Sequence, residues 1–230
     1  APFLAWPEGN GRIVRHLASM VGARLATGQL VTDVVPNESA VELSVFDTRA
    51  GALRRLTADR VILALPKLVV SRVLRPFRDA PPEHLRAFDY AVWWVANVHV
   101  RRRPKSRGFR MAWDNVIYGG ASLGYVVATH QRLEDHGPTV LTHYQPLIDA
   151  DARGARQRLL AMEHHQFVGE LVRELEPAHS DIAEVIERVD VMRWGHAMVR
   201  PRPGFVWGSA RQRAAEPRGR VHFAHSDLSG

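Results

Sequence analysis

The feature that most constrains the fold is a series of strand-length segments in the middle of the chain, rich in Val, Trp and Tyr and separated by glycine and proline. These segments cover residues 91–101, 109–118, 124–130 and 140–144. Such a series is typical of an antiparallel sheet. Residues 151–175 then repeat apolar side chains at helical spacing as far as Pro177, which predicts one long helix. Together the patterns predict the α+β class, with an antiparallel or mixed sheet and helices.

The region before Pro76 has a different pattern, a helix followed by a β-meander. The helix is predicted over residues 11–24 and carries its apolar face at Ile13, Leu17, Met20 and Val21. Strands are predicted at residues 30–35, 41–45 and 53–57. The apolar run at residues 59–66 ends at Pro66, which predicts a fully buried strand. A last strand is predicted at residues 219–224, near the end of the chain.

Composition narrows the classes of function. The chain has 230 residues, 46% apolar and 24% charged, which is enough apolar material for a globular core. It has no cysteine, which excludes disulfides, thiolate catalysis and cysteine-ligated metals. No uncharged apolar run reaches roughly 18 residues, so no membrane span is predicted. The first residues lack the features of a signal peptide, and the compartment, cytoplasmic or exported, stays unknown.

The net charge of +7 comes almost entirely from arginine, because only Lys67 and Lys105 among the 31 basic residues are lysines. The arginines are scattered except for one dense segment at residues 101–107, which we call the basic segment. We interpret the basic segment as a solvated turn between strands rather than as a surface for nucleic acid. The alternative function is a stand-alone basic α+β domain that binds nucleic acid or an acidic partner through this segment.

Several catalytic motifs are incomplete. Gly9-Asn10-Gly11 precedes a helix, but Val14 stands where a dinucleotide-binding loop needs its third glycine. The histidines at 164–165 are neighbours on a predicted helix and point in different directions, so they share a metal ion poorly. His222 and His225 need not converge either. No metal site is predicted, and without a Gly-x-Ser-x-Gly elbow nothing supports a Ser-His-Asp triad.

Four segments, in order along the chain, resemble the flavin-containing amine oxidase superfamily. They are residues 6–11 with the following helix, 31–34, 58–66 and 219–227. Residues 58–66 are similar to the family's strand that ends in Ala-x-Pro beside the cofactor. Gly-Arg-Val-His-Phe-Ala at 219–224 is similar to the strand that delivers an acidic loop to the flavin ribityl and pyrophosphate. The resemblance implies an FAD-dependent oxidoreductase that moves a hydride from a C–N or C–H bond of a small molecule to the flavin. A desaturase or isomerase of this type shares the same signals.

The resemblance also implies site residues. The implied cofactor-binding residues are Val31, Pro66, Trp194, Ser226 and Asp227. The alignment at Ser226 and Asp227 can shift by one position. His196, beside Trp194 in a Gly/Pro-rich loop, is the candidate catalytic residue. Aromatic residues of the middle strands are expected to line the substrate pocket, and we single out Trp113, Tyr118 and Tyr144.

Two domains are implied as well. Residues 1–75 and 205–230 form a partial FAD-binding domain, and residues 76–204 form a substrate-binding domain. The two outer pieces are expected to meet as neighbouring strands. The sequence lacks the family's N-terminal Gly-x-Gly-x-x-Gly unit, and it lacks the lysine that many amine oxidases carry on the first middle strand. We therefore expect a piece of a longer flavoenzyme that partners its missing N-terminal part, holds FAD weakly by itself and is inactive alone.

Overall fold

The computed structural model describes residues 6–148 and 151–229. Contacts divide the chain into two compact units. The sheet unit comprises Ala1–Leu17 and Tyr90–Met198, and the meander unit comprises Ala18–Asp89 and Val199–Gly230. The two domains predicted from the sequence, with boundaries after residues 75 and 204, stay a prediction. The assignment of cofactor and substrate to the two parts stays a prediction, and the first residues, on which the signal-peptide interpretation rests, lie outside the described ones.

The helices of the described residues are mostly short. Their bounds are α1 (Gly11–Val21), α2 (Lys67–Val73), α3 (Arg75–Asp79), α4 (Ala152–Ala161), α5 (His164–Leu175), α6 (Ile182–Val185) and α7 (Ser209–Ala215). Single 3-10 turns extend α1 over Gly22–Arg24 and lie at Glu83–Ala87, His130–Arg132 and Ser226–Leu228. None of the helices in the described part of the chain is long and apolar enough to cross a membrane.

The strands of the described residues form three sheets. Their bounds are β1 (Gln29–Pro36), β2 (Val41–Asp47), β3 (Ala52–Ala58), β4 (Val61–Leu63), β5 (Val92–Val100), β6 (Asp114–Asn115), β7 (Tyr125–Val127), β8 (Thr139–Leu147), β9 (Ile186–Trp194) and β10 (Val221–Phe223). The sheet orders are β1-β2-β3, β10-β4 and β6-β7-β8-β5-β9. Strands and helices segregate along the chain, so the predicted α+β class is confirmed.

The sheet unit is an antiparallel sheet with helices on one face. Every second residue of β5, from Val92 to Val100, is buried, as expected for a strand that has one face in a core. These side chains pack with apolar residues of the helices, including Leu159 on α4 and Leu171 on α5. This burial pattern leaves the opposite face of the sheet with side chains that helices do not cover.

The single helix predicted for residues 151–175 is wrong, because the structure has two helices. The chain is extended at Met162 (φ −68°, ψ 132°), and Glu163 begins α5 as its N-cap. Glu163 and Gln166 form a reciprocal capping box, in which the Glu163 backbone N–H donates to Gln166 Oε1 at 2.7 Å. A capping box satisfies backbone groups that would otherwise lack partners, so it favours a new helix start at this position.

The strand predicted at residues 109–118 is also wrong for most of its length, since only Asp114–Asn115 pairs in a sheet. The Asn115 side chain accepts a hydrogen bond from the Ala112 N–H and donates one to the Ala112 carbonyl. Side chains that bind the local backbone compete with a strand ladder for the same groups. Tyr118 consequently lies on a fully exposed turn instead of a sheet.

The meander unit combines the antiparallel sheet β1-β2-β3 with the parallel pair β4 and β10. The prediction that the outer pieces of the chain meet as neighbouring strands is confirmed for β4 and β10, which pair from Val61↔Val221 to Leu63↔Phe223. Helices α2 and α3 pack around the same core, which contains Val34, Leu63, Val70, Leu74, Phe77 and Val221. β4 is not fully buried as predicted, because Ile62 lies on the opposite side from this core and is 67% exposed.

Helix α1, with the 3-10 turn after it, confirms the helix predicted at residues 11–24. Its apolar residues were expected to form a packed face. Instead Ile13, Leu17 and Met20 are exposed. The helical spacing of apolar residues identifies which side of α1 is apolar but not which residues cover it. The spacing therefore predicted the helix and not its packing.

Candidate functional site

The carboxyl ends of β4 and β10 lie at one edge of the parallel pair, which we call the carboxyl edge. Parallel strands point the same way, so the segments that follow them, residues 64–67 and 224–227, emerge side by side. In open α/β sheets, ligands bind outside the carboxyl ends of parallel strands. The carboxyl edge is therefore the first place in the meander unit to look for a site.

Asp227 joins the two segments of the carboxyl edge. Its carboxylate Oδ2 accepts a hydrogen bond from the backbone N–H of Lys67 at 2.8 Å, in the first turn of α2. Its own N–H donates to His225 Nδ1 at 3.1 Å, and the Ala224 N–H donates to the Leu63 carbonyl at 3.2 Å. The Asp227 side chain is buried by these contacts. It thus fixes the relative position of two loops that come from opposite ends of the sequence.

The structure brings four of the predicted cofactor residues into the meander unit. Pro66 is the N-cap residue of α2, and Ser226 begins the 3-10 turn that contains Asp227. Val31, on β1, is partly buried against the same core as Leu63 and Phe223. Whether these residues contact a cofactor stays a prediction, although Pro66, Ser226 and Asp227 meet at the carboxyl edge.

Lys67 is a residue of this edge that sequence reasoning missed. Its side chain is only 2% exposed, and its Nζ lies 3.4 Å from the centroid of the Phe223 ring. Nζ has no hydrogen-bond partner among the described residues. Burial lowers the pKa of Lys67 to about 8, against the opposing effect of the Asp227 charge. The signal that could have found it was a lysine directly after the Ala-x-Pro segment in a chain with only two lysines.

The free energy lost by removing this ammonium from water is larger than the free energy gained from its contact with Phe223. Removing an ion from water costs several kcal/mol even after relaxation. A cation over an aromatic face gains about 0.5–2 kcal/mol. The ring of His84 is close enough that the Lys67 charge contributes to lowering the pKa of His84, after the larger effects of burial and Arg213. Lys67 is thus a buried charge whose surroundings compensate it incompletely.

In the sheet unit, the face that the helices leave uncovered carries an apolar and aromatic patch, which we call the open sheet face. Trp93 lies opposite Trp194 on β9 and Pro146 on β8. Two residues farther along β5 on the same face, Val95 lies opposite Met192 on β9 and Tyr144 on β8. Trp194 and Met192 are about half exposed. Aromatic surface of this kind, open to solvent, is typical of binding sites.

Polar groups border this patch. The Tyr144 hydroxyl donates to Asp114 Oδ1 at 3.1 Å, and burial followed by this hydrogen bond raises the pKa of Tyr144. Farther along β5, His99 Nε2 lies 3.0 Å from Asp190 Oδ2, and Arg188 also contacts Asp190. The open sheet face is therefore apolar at one end and charged at the other.

The remaining predicted residues of the sheet unit do not all join this face. Trp194 and Tyr144 do, and His196 lies in the loop just after β9 with its ring 6.0 Å from that of Tyr90. Trp113 instead lines a separate pocket of about 210 Å³ together with Val127 and His130. Tyr118 is fully exposed. The structure therefore separates Trp113 and Tyr118 from Tyr144, although all three were predicted to line one pocket.

The arginines of the basic segment are largely engaged within the protein. Arg102 pairs with Asp181, which also accepts from the Lys105 N–H at 2.8 Å. Arg103 donates to the Glu134 carbonyl at 2.8 Å. These contacts hold the segment against the unit's own surface. Among the described residues, no cluster of three or more potential metal ligands occurs.

Comparisons with known proteins agree with this architecture. The family model for flavin containing amine oxidoreductases matches residues 3–229. The chain therefore belongs to the flavin containing amine oxidoreductase family, as the sequence motifs predicted. No curated protein matches the sequence significantly.

Solved structures show the same fold at low identity. Cyclohexylamine oxidase from Brevibacterium oxydans has a TM-score of 0.65 at 15% identity. A redesigned putrescine oxidase has a TM-score of 0.68 at 15% identity. A fatty acid isomerase from P. acnes has a TM-score of 0.64 at 13% identity. The first two comparisons cover 96% of this chain and the third 97%, and each covers 48% of the other protein, so the chain spans about half their length.

Proposed function

We propose that the chain is part of an FAD-dependent oxidoreductase of the amine oxidase type, which oxidises a small molecule at a C–N or similar C–H bond. The family match over residues 3–229 is the observation that carries this proposal. The chain spans about half the length of the solved structures it matches, so the proposal concerns the activity of a whole protein to which these residues belong.

The residues of the carboxyl edge fit a dinucleotide cofactor. A carboxylate such as that of Asp227 accepts hydroxyl hydrogen bonds well, and Asp227 stands at the end of a parallel strand, where nucleotides bind in related sheets. The edge also contains a buried positive charge without an acceptor among the described residues, which suits a ligand that brings negative charge. We propose that Pro66, Ser226 and Asp227 at this edge, together with Val31 elsewhere in the same unit, hold part of FAD.

The open sheet face is the proposed substrate wall. When bound, FAD supplies the chemistry by accepting a hydride from the substrate. The protein's own part is to hold the substrate and keep water away, for which Trp93 and Tyr144 offer apolar surface. Trp194, predicted from the sequence as a cofactor contact, lies opposite Trp93 on the same face. His196, two residues beyond Trp194, is the proposed polar residue, because a neutral imidazole nitrogen can accept a proton from the ammonium form of an amine substrate.

A desaturase or isomerase is the alternative reaction on the same cofactor. The fatty acid isomerase from P. acnes shares the fold. The aromatic and aliphatic residues of the open sheet face suit an apolar substrate of an oxidase, a desaturase or an isomerase equally well. Identifying the reaction products of the whole protein would distinguish these reactions.

We propose further that these 230 residues bind FAD weakly by themselves and are inactive alone. The sequence contains no Gly-x-Gly-x-x-Gly loop. In related folds, that loop and its helix N-terminus bind the pyrophosphate. A dissociation constant in the high micromolar to millimolar range is therefore expected.

Titration with FAD, followed by flavin fluorescence and by the visible spectrum, tests the cofactor site. Asp227→Asn keeps an oxygen to accept from the Lys67 N–H but removes the charge, and we expect it to weaken FAD binding at least fivefold. Asp79→Asn, at the exposed end of α3, is the matched control and should leave the affinity unchanged. Equal affinity of the Asp227→Asn variant and the unmodified chain would contradict the site, and stoichiometric binding would contradict the expected weakness.

Nucleic-acid binding through the basic segment is not favoured. Arg102 and Arg103 already bond to acceptors of their own unit. We expect only weak retention on DNA or RNA with a shallow dependence on salt, whereas a steep dependence would support the alternative function.

A further inference from the structure

Lys67 stands apart from the other charged side chains of the meander unit. Asp33, for example, pairs with Arg75 and Arg78, and Asp89 pairs with Arg200 and Arg202. The Lys67 ammonium is almost completely buried and lies over the face of Phe223, with no acceptor among the described residues. A buried charge without an acceptor calls for an explanation, because folding has removed its water without replacing it.

The nearest carboxylate does not supply that acceptor. Asp227 acts on Lys67 through its charge, but its Oδ2 accepts from the backbone N–H of this lysine and not from Nζ. Its Oδ1 lies 3.2 Å from His225 Nδ1. The carboxylate therefore holds the loops of the carboxyl edge together, and no hydrogen bond joins it to the ammonium.

The position of Lys67 indicates where an acceptor would come from. Lys67 is the first residue of α2, and helical side chains lean towards the helix N-terminus, which here begins at Pro66. Nζ reaches Phe223, the last residue of β10. The ammonium is therefore at the level of the strand ends, next to the edge where a ligand would bind.

We propose that Lys67 is a ligand-binding residue whose ammonium pairs with a phosphate oxygen of the nucleotide held at the carboxyl edge. This inference rests on the proposed function, since it assumes that a nucleotide binds there. A phosphate provides what the structure lacks, a charged acceptor with several oxygens, and lysine binds phosphate as a point charge. The phosphate belongs either to the adenosine side or to the ribityl side of FAD, and the two sources can be distinguished.

The chain offers an unusually clean test, because Lys67 and Lys105 are its only lysines. Labelling lysine with ¹³C at Cε gives two NMR signals, and Lys105→Arg assigns them. Without ligand we expect the Lys67 signal to titrate with a pKa near 8. Millimolar FAD should raise that pKa by at least one unit, whereas riboflavin, which has no phosphate, should not. A response to ADP but not to FMN assigns the adenosine side, and the reverse assigns the ribityl side.

Affinity provides a second readout. Lys67→Met keeps an unbranched apolar stem beside Phe223 and removes the charge. We expect it to weaken FAD binding about tenfold, which corresponds to about 1.4 kcal/mol, and to leave riboflavin binding unchanged. Lys105→Met is the matched control and should bind FAD like the unmodified chain.

The outcomes separate this inference from the function on which it rests. If FAD shifts the ring signals of His222 and His225 but not the Lys67 signal, the nucleotide site stands and the role of Lys67 is overturned. Unchanged affinity of Lys67→Met for FAD would overturn that role as well. If millimolar FAD moves none of these signals, both proposals fail. The labelled wild-type chain gives these answers even if Lys67→Met does not fold.

Discussion

The two units bury a basic side chain in different ways, at His143 in the sheet unit and at Lys67 in the meander unit. Both lack a hydrogen-bond partner within the described residues. Burial lowers the pKa of His143 to about 4, so at pH 7 the imidazole is simply neutral. The pKa of Lys67 falls only to about 8, so its ammonium stays charged at pH 7. A buried group that can become neutral is compatible with an apolar core, whereas one that keeps its charge needs a compensating partner, and for Lys67 we propose that this partner is a ligand.

The largest effect should come from breaking the core around His143. Trp94 is fully buried and packs against His143, with ring centroids 4.9 Å apart, and against Phe167. We expect Trp94→Ala to lower the free energy of unfolding by about 3–5 kcal/mol, the usual cost of removing a buried aromatic side chain. Urea denaturation measures it. Trp207→Ala, at an exposed position, is the control, and similar losses for both would show that the sheet unit has no tight core.

The pH dependence of stability tests whether His143 is neutral. Its folded pKa is depressed by burial, with Glu174 opposing, below an unfolded value near 6.5. The native state then binds fewer protons than the unfolded chain, so this contribution is fully present above pH 6.5 and is lost as the pH falls towards 4. The loss at pH 4 is about 3 kcal/mol.

His143→Leu should remove this part of the acid dependence, because leucine does not titrate and no hydrogen bond is lost. The comparison is made by urea denaturation between pH 7 and pH 4. His136→Leu, at an exposed position, should keep the full dependence. An unchanged slope in His143→Leu would mean that folding does not shift the pKa of His143.

A smaller effect is expected where Asp227 holds the carboxyl edge together. Asp227→Ala removes the acceptor for the Lys67 N–H and should cost about 1–2 kcal/mol in unfolding free energy, as for other helix N-terminal acceptors. Asp227→Asn should recover most of it. In both variants the pKa of Lys67 should fall further, because the Asp227 charge is what raises it. An unchanged pKa by ¹³Cε NMR would show that the two side chains do not interact.

The smallest effect concerns the open sheet face. Tyr144→Phe removes the hydrogen bond to Asp114 and should change the unfolding free energy by less than about 1 kcal/mol, because both groups are partly solvated. Tyr118→Phe, on the exposed turn, should change nothing. A loss well above 1 kcal/mol for Tyr144→Phe would mean that this face is packed as tightly as the helix-covered one.

Much of the fold followed from the sequence wherever periodicity was strict. The alternating residues of β2 predicted a half-buried strand, and Val41 and Val45 are buried accordingly. The Val- and Trp-rich middle segments predicted an antiparallel sheet, and β5 and β8 pair in one. The prediction failed where a local side chain intervened. The capping box at Glu163 divided a helix whose apolar spacing continues through it, and Asn115 withdrew backbone groups from a strand. The residues that form the capping box and the Asn115 hydrogen bonds can be seen in the sequence. The sequence does not show whether these local hydrogen bonds are stronger than the preference for a continuous helix or strand.

The candidate site was less predictable. Motifs led to Pro66 and Asp227, which the structure brings to one edge. The motifs did not indicate Lys67, because in the sequence it is only a basic residue that follows a proline. Trp113, Tyr118 and Tyr144 are all aromatic residues of the predicted middle strands. In the structure Trp113 lines a pocket, Tyr118 lies on an exposed turn, and Tyr144 lies on the open sheet face. Aromatic residues in neighbouring segments share a surface only if the strands between them pair in the right register.

The sequence by itself determined the family, the α+β class and the residues that could carry a cofactor, because backbone periodicity and short motifs are local properties. The tertiary structure decided which of those residues meet. The pairing of β4 with β10 joins segments from opposite ends of the chain, and only that pairing brings Asp227 onto the first turn of α2 and buries the Lys67 ammonium beside it. Burial is a collective property of distant segments, so no local pattern could have shown that the Lys67 ammonium is buried at that edge.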